Sequence, residues 1–235
     1  RNIDNVYTIP KNKGIVSFTG GTTGKSLEVV FTPDDFQERM AYLDAFKSKL
    51  GVNPFEVTKA TFSGRELVHS SRENIFWRDN KPYKQRLYST FHLNEKNLIH
   101  YIENLNQYRP QVLNGFVSAI YEVSKFIKNN NLTLTFQPKA IFTTSETLLP
   151  FHRELIEEVF NSKIYNQYAS AEGAPFITEC EQGNLHYNLD TGVIENKEES
   201  NEILVTSFTT HGTPLIRYDI GDEVEFMQGS CNCGS

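Results

Sequence analysis

Two different periods share this 235-residue chain, and the point where one gives way to the other limits what it can fold into. Up to about residue 170, short β-like runs alternate with segments whose apolar residues recur every three or four positions. Ile15-Val16-Ser17-Phe18, Leu27-Glu28-Val29-Val30-Phe31, Val57 to Phe62, Ala140-Ile141-Phe142-Thr143 and Ile164-Tyr165-Asn166-Gln167-Tyr168 read as strands. The first helix opens at Thr32-Pro33-Asp34-Asp35, with Thr32 as N-cap, proline in the first turn and Asp35 at the capping-box position. Phe36, Met40, Leu43, Phe46 and Leu50 continue it as a stripe expected to face the core, until Gly51 stops it. A second helix begins at Asn94 with Leu98, Ile102 and Leu105 on one face, a third carries Ile120, Val123 and Ile127, and a fourth runs from Phe151 to Phe160. The polar stretch around Trp77, Pro82 and Tyr83 shows no period. Such alternation predicts an α/β layer architecture with a mixed, largely parallel sheet flanked by helices.

Beyond residue 173 the helical period is gone. Phe176-Ile177-Thr178, Leu185-His186-Tyr187, Glu202 to Thr206, Leu215 to Tyr218 and Glu223 to Phe226 read as short, mostly antiparallel strands, and Glu195 to Asn201 as a solvated loop tip. The expected division is an α/β core over 1–173 and a β-rich subdomain over 174–235.

Composition narrows the partners. A net charge of -6, with acids and bases interspersed, does not suggest a nucleic-acid or anionic-membrane surface, so any anion site must be local. No apolar run approaches a membrane span, and Arg1-Asn2-Ile3-Asp4-Asn5 lacks the apolar core of a signal peptide, which reads as a cytoplasmic protein without membrane insertion. The composition allows a homodimer. Three cysteines, an odd number, argue against a disulfide framework in that compartment.

Thr19-Gly20-Gly21-Thr22-Thr23-Gly24-Lys25-Ser26 carries the clearest chemistry. Three glycines open backbone conformations closed to other residues, while amides, hydroxyls and one ammonium supply donors for an anion. The rival readings are a ligand-free hairpin turn and a Walker A loop. The second fails because Thr19 stands where Walker A needs its first glycine, and because a strand rather than a helix follows. Three more stretches fall at or near strand ends, where ligands of open α/β sheets collect: Thr143-Thr144-Ser145-Glu146, Tyr168-Ala169-Ser170-Ala171-Glu172-Gly173 and Arg217-Tyr218-Asp219-Ile220-Gly221-Asp222.

In order and type, these four stretches resemble the adenylate-forming enzymes, within them the branch of phenylacetate-coenzyme A ligases and capsular-polysaccharide adenylating proteins. The resemblance implies the large adenylation domain of that fold. It also implies ATP-dependent activation of a carboxylic acid to an acyl-adenylate with release of pyrophosphate, then transfer to an acceptor, coenzyme A first among them. Thr22, Thr23, Gly24, Lys25 and Ser26 would hold the β,γ-phosphates of ATP, with Lys25 neutralising the departing pyrophosphate. The Tyr168 ring would lie on the adenine of ATP or AMP, with Ala169 and Ser170 beside it and the backbone of Ser145 and Glu146 at the adenine edge. Glu172 would hold Mg2+, and Asp222 would accept hydrogen bonds from the ribose hydroxyls. Tyr88, Phe91, His92, Phe116 and Tyr121 are candidates for the wall of the carboxylate pocket. Thr19-Gly20-Gly21 replaces the usual Ser/Thr-Ser-Gly, and Ala169 replaces a glycine, a change that bears on the acyl pocket. The family's small C-terminal domain, which supplies a lysine, is expected to lie outside these 235 residues. The 235 residues alone are therefore expected to bind nucleotide weakly and turn over little. A non-catalytic nucleotide-binding or scaffolding module is the alternative.

Separately, Cys180, His186, Cys231 and Cys233 offer four ligands of the kinds that a closed, structural Zn2+ site takes, with Gly234 permitting a tight turn. Three unrelated thiols is the plain alternative.

Overall fold

The computed structural model describes residues 6–19, 26–64, 67 and 74–234. They divide into two compact units, residues 47–167 and the combination of 1–46 with 168–235. The boundary at 173/174 marks where the sequence period changes; the units follow packing, and packing draws the first helix together with the chain's last third.

Residues 47–167 hold the strands β3 (Lys59–Ser63), β4 (Trp77–Asn80), β5 (Gln85–Ser89), β6 (Val112–Phe116), β7 (Ala140–Thr144) and β8 (Ile164–Tyr168). Their spatial order is β4-β5-β3-β6-β7-β8, parallel throughout except for β4, which runs antiparallel to β5. β7 is buried along four of its five residues, as the continuous apolar run of a central parallel strand demands. The helices α2 (Glu95–Tyr108), α3 (Val117–Asn129) and α4 (Pro150–Phe160) pack with the sheet around one core that includes Phe62, Phe76, Tyr88, Tyr101, Ile141, Ile156 and Phe160. Each such side chain contributes about 1.5–3 kcal/mol on burial. Asn94, where the second helix was expected to begin, caps α2 by accepting from the Asn97 amide at 3.2 Å. The stretch around Trp77 resolves into β4, a 3-10 turn at Lys81–Tyr83 and β5, a polar hairpin at the sheet edge.

The other unit contains the antiparallel hairpin β1 (Ile15–Phe18) and β2 (Glu28–Phe31), then α1 (Pro33–Lys49). After β8 come the hairpin β9 (Ile177–Glu179) and β10 (Leu185–Tyr187), and the antiparallel sheet of β11 (Gly192–Asn196), β12 (Glu202–Ser207) and β13 (Tyr218–Glu223). Ala174, Ile194, Ile203 and Val205 form its core, with Tyr168, Tyr218 and Ile220 against them.

Two expectations are corrected here. The capping box of α1 is present, the Thr32 amide donating to Asp35 Oδ2 at 2.8 Å and the Asp35 amide to Thr32 Oγ1 at 3.0 Å. Its inward face, however, is Asp35, Arg39 and Phe46, while Phe36 and Met40 are each 39% exposed. A polar network replaces the apolar stripe. The last strand is also displaced: Asp219 to Asp222 lie inside β13, not between strands. Leu204 pairs with Asp219 and Glu202 with Glu223, so a short step on β12 faces a longer one on β13, and the bulge carries Ile220, Gly221 and Asp222.

Candidate functional site

The neck of the glycine-rich loop is closed by hydrogen bonds. The Thr19 amide donates to the Leu27 carbonyl at 3.0 Å, the Leu27 amide to Thr19 Oγ1 at 2.8 Å, and the Ser26 hydroxyl to the Thr19 carbonyl at 2.7 Å. The loop does join two antiparallel strands. Thr22, Thr23, Gly24 and Lys25, expected on the phosphates, lie outside the described residues. Ser26 spends its proton on the neck and keeps its lone pairs.

Tyr168 ends β8, and its hydroxyl donates to Asp222 Oδ2 at 2.6 Å. Two residues proposed for one nucleotide are therefore held together, one by a strand end and the other by the β13 bulge. Burial first, then the hydrogen bond and charge of Asp222 and the charge of Glu172, push the Tyr168 phenol far above its ordinary value, so it remains a donor. Burial and then Glu172 act the same way on Tyr218. Glu172 thus lies close enough to both rings for its charge to be felt. Its carboxylate, partly buried, makes no hydrogen bond or ion pair with a described residue, and a carboxylate is the kind of hard oxygen ligand that Mg2+ takes.

The turn that presents Glu172 is built with little slack. The Gly173 amide donates to the Ser170 carbonyl at 3.2 Å, and the Ala174 amide to Ser170 Oγ at 3.1 Å. Gly173 has φ +82°, and a Cβ there would sit 2.1 Å from Thr210 Cγ2, so neither the backbone nor the space admits another residue. Arg39, 4% exposed, donates to the Gly173 carbonyl at 2.9 Å, the Ala174 carbonyl at 3.3 Å and Thr209 Oγ1 at 2.7 Å, and lies over the Phe176 ring at 4.3 Å. Burial lowers its guanidinium to about 10, with Asp35 opposing, so it stays charged at neutral pH. Asp35 itself, 1% exposed, accepts from His211 Nδ1 at 2.6 Å and from the Gly212 amide at 3.0 Å. Arg39 and Asp35 position this turn and its neighbour, and the sequence reading passed over that role. The available signal was an arginine and an aspartate four apart in an otherwise amphipathic helix.

Ser145 and Glu146 belong to the other unit. Ser145 is left-handed at φ +68°, just after β7. The Glu146 carboxylate accepts from the Ser118 amide at 2.6 Å and the Ser118 hydroxyl at 2.8 Å, capping α3, whose own N-cap Phe116 has no side chain able to do so. Of the pocket candidates, Tyr88 is fully buried and donates to Asn104 Oδ1 at 2.7 Å, which makes it core and not wall. Phe91 is 66% exposed in the loop before α2. His92 bonds Ser89 Oγ through Nδ1 at 2.8 Å and rests on Phe76, whereas Tyr121 rests edge-on against Phe151 and His152. Phe116 lies beside Gly64. These side chains have different immediate neighbours. In the unit formed by residues 1–46 and 168–235, Cys180, His186, Cys231 and Cys233 converge, their ligand atoms all within 4.8 Å of one another.

No protein-family profile matches the chain. Protein CapK of Staphylococcus aureus is 43% identical over 229 residues, 96% of this chain and 51% of that protein. A structure of 2-hydroxyisobutyryl-CoA ligase in complex with 2-HIB-AMP and CoA superposes with a TM-score of 0.66 at 14% identity, over 91% of this chain and 52% of that one. VinN in complex with L-aspartate superposes at 0.56 and 12% identity, over 87% and 52%. The chain spans about half the length of the relatives it matches. The α/β fold of the adenylate-forming ligases, expected from the four motifs, is present, and the CapK relationship agrees with the capsular branch of that resemblance.

Proposed function

We propose that this chain, with the fold of the adenylate-forming ligases and a relative in CapK, is the nucleotide-binding part of an enzyme that activates a carboxylic acid with ATP. The observation that carries this reading is the hydrogen bond from Tyr168 to Asp222 with Glu172 alongside. It gathers an aromatic face, a carboxylate able to accept two ribose hydroxyls and, in Glu172, a second carboxylate without a partner among the described residues that would hold Mg2+. The acid's carboxylate attacks the α-phosphorus, the bond to the bridging oxygen breaks and pyrophosphate leaves; Lys25 would meet part of the charge on the leaving group, and Glu172 would hold a Mg2+ that supplies the rest. The acyl-adenylate is then taken by a thiol, coenzyme A being our choice; the structure of the CoA ligase bound to an acyl-AMP and CoA supports that order. Activation of an acid for capsular polysaccharide biosynthesis, in the cytoplasm, is the setting we infer from the CapK relationship.

The test is ATP–pyrophosphate exchange by the full-length protein across aryl, aliphatic and sugar acids, followed by thioester formation with coenzyme A. Exchange stimulated by one class of acid is expected. Lys25→Ala should reduce it at least about tenfold while leaving the thermal midpoint unchanged. Binding of AMP with no exchange for any acid would favour a non-catalytic nucleotide-binding module. Equal losses of exchange and stability in the variant would make Lys25 structural.

A further inference from the structure

The cluster in the β-rich segment has the dimensions of a metal site. Cys180 Sγ lies 3.7 Å from Cys231 Sγ, and Cys233 Sγ lies 3.3 Å from His186 Nε2. A disulfide requires about 2.05 Å between sulfurs. A tetrahedron with Zn–S of about 2.3 Å and Zn–N of about 2.0–2.1 Å has S···S edges near 3.8 Å and S···N edges near 3.6 Å. Both separations lie within a few tenths of an ångström of those edges, and the other four are at most 4.8 Å.

Local structure explains how the ligands arrive. β9 pairs with β10 in the register Glu179↔Leu185 and Thr178↔His186. The connecting turn closes through the Gly183 amide on the Cys180 carbonyl at 2.9 Å and the Cys180 amide on the Asn184 carbonyl at 2.9 Å. Cys180 therefore opens the turn, and His186 lies on the returning strand. The second pair comes from a Cys-x-Cys-Gly turn in which Gly234 takes φ +80° and its amide reaches the Cys231 carbonyl at 3.4 Å. Sulfur also meets donors: Asn184 Nδ2 lies 3.2 Å from Cys231 Sγ, and the backbone amides of Asn184 and Gln182 donate towards Cys180. N–H groups directed at ligating sulfur fix its orientation.

We propose that Cys180, His186, Cys231 and Cys233 bind one Zn2+ in a closed structural site that anchors the chain on both sides of the Tyr168–Asp222 pair. Four protein ligands leave no position for water or substrate, so the metal acts on shape and not on chemistry. The two segments that deliver the pair run on into the cluster: residues 169–180 follow Tyr168, and residues 223–231 follow Asp222. A metal joining Cys180 to Cys231 thereby limits how far the Asp222 bulge can move from the end of β8. This anchoring role rests on the nucleotide reading; the metal site does not.

The protein is purified without chelator in the presence of reductant, and its metal is measured by mass spectrometry. One equivalent of zinc is expected, falling below about one fifth in Cys231→Ser and in His186→Ala. Cobalt replacement should give thiolate charge-transfer bands and the intense visible bands of tetrahedral Co2+. Stripping the metal should lower the thermal midpoint by about 4 °C or more, and zinc should restore it. A metal-free protein with three reactive thiols, a Cys180–Cys231 disulfide, or full zinc content in the Cys231→Ser/Cys233→Ser double variant would overturn the site. AMP titration of stripped and reloaded protein separates the two claims. A fall in affinity of at least about fivefold on stripping supports the anchoring role, and equal affinity overturns it. If neither form binds AMP, the nucleotide reading fails and the anchoring role with it, while stoichiometry and midpoint still decide the site.

Discussion

At the scale of single residues, the Tyr168–Asp222 contact separates ring from hydroxyl. Stacking on a base is worth about 1–3 kcal/mol and needs only the ring, so Tyr168→Phe should keep AMP affinity within about threefold, whereas Tyr168→Ala should lose about tenfold or more. Asp222→Ala should weaken AMP binding and abolish the preference for AMP over its 2′,3′-dideoxy analogue, both read by calorimetry. Retained discrimination in that variant would remove Asp222 from the ribose. Tyr168, Glu172 and Asp222 stood out in the sequence through motifs that resemble a known family, and the structure brings the Tyr168 hydroxyl to Asp222. Arg39 and Asp35 were not, because a charged residue between apolar ones in a helix ordinarily points to solvent, and only distant partners at 173–174 and 209–212 reveal otherwise.

Among elements, the turn after β8 has the least tolerance. Gly173→Ala combines a left-handed backbone with a 2.1 Å approach to Thr210, and about 2–4 kcal/mol of destabilisation is expected in urea. Arg39→Met removes the charge and leaves two buried carbonyls and the Thr209 hydroxyl without their donor, at about 2–4 kcal/mol. If Arg39→Met were as stable as the parent, its clamp on the turn would be incidental. The elements missed from sequence have physical reasons. β4 is polar because it forms the sheet edge, and β5 beside it is fully buried only at Tyr88 and Ser89. β13 was misplaced because its bulge breaks the alternation on which strand recognition depends. The extents of the four helices were read within a few residues, helical period being a local property, although the inward face of α1 was not.

For the molecule as a whole, pH should act through Asp35. Burial raises a carboxyl, yet here the hydrogen bonds from Thr32, His211 and Gly212 outweigh it and the net shift is downward from 3.8. Because the carboxylate is acceptor-only, His211 Nδ1 carries the shared proton. The unfolded chain binds the Asp35 proton more readily than the folded one, so this contribution is complete above the ordinary carboxylate range and disappears as pH falls through the lower folded value. Asp35→Asn should flatten the acid limb of a stability–pH curve measured by urea unfolding; an unchanged limb would assign it to other carboxylates. The order of synthesis gives the discontinuous unit a further consequence. Residues 47–167 are continuous in sequence and can close as soon as they leave the ribosome. By contrast, β2 and α1 wait for partners about 180 positions later, Thr213 for Val30 and Gly212 for Asp35. Until then the capping box holds an ionised aspartate with half its acceptors empty, so a nascent chain halted near residue 200 should expose β2 and α1 to protease while its middle third is already protected.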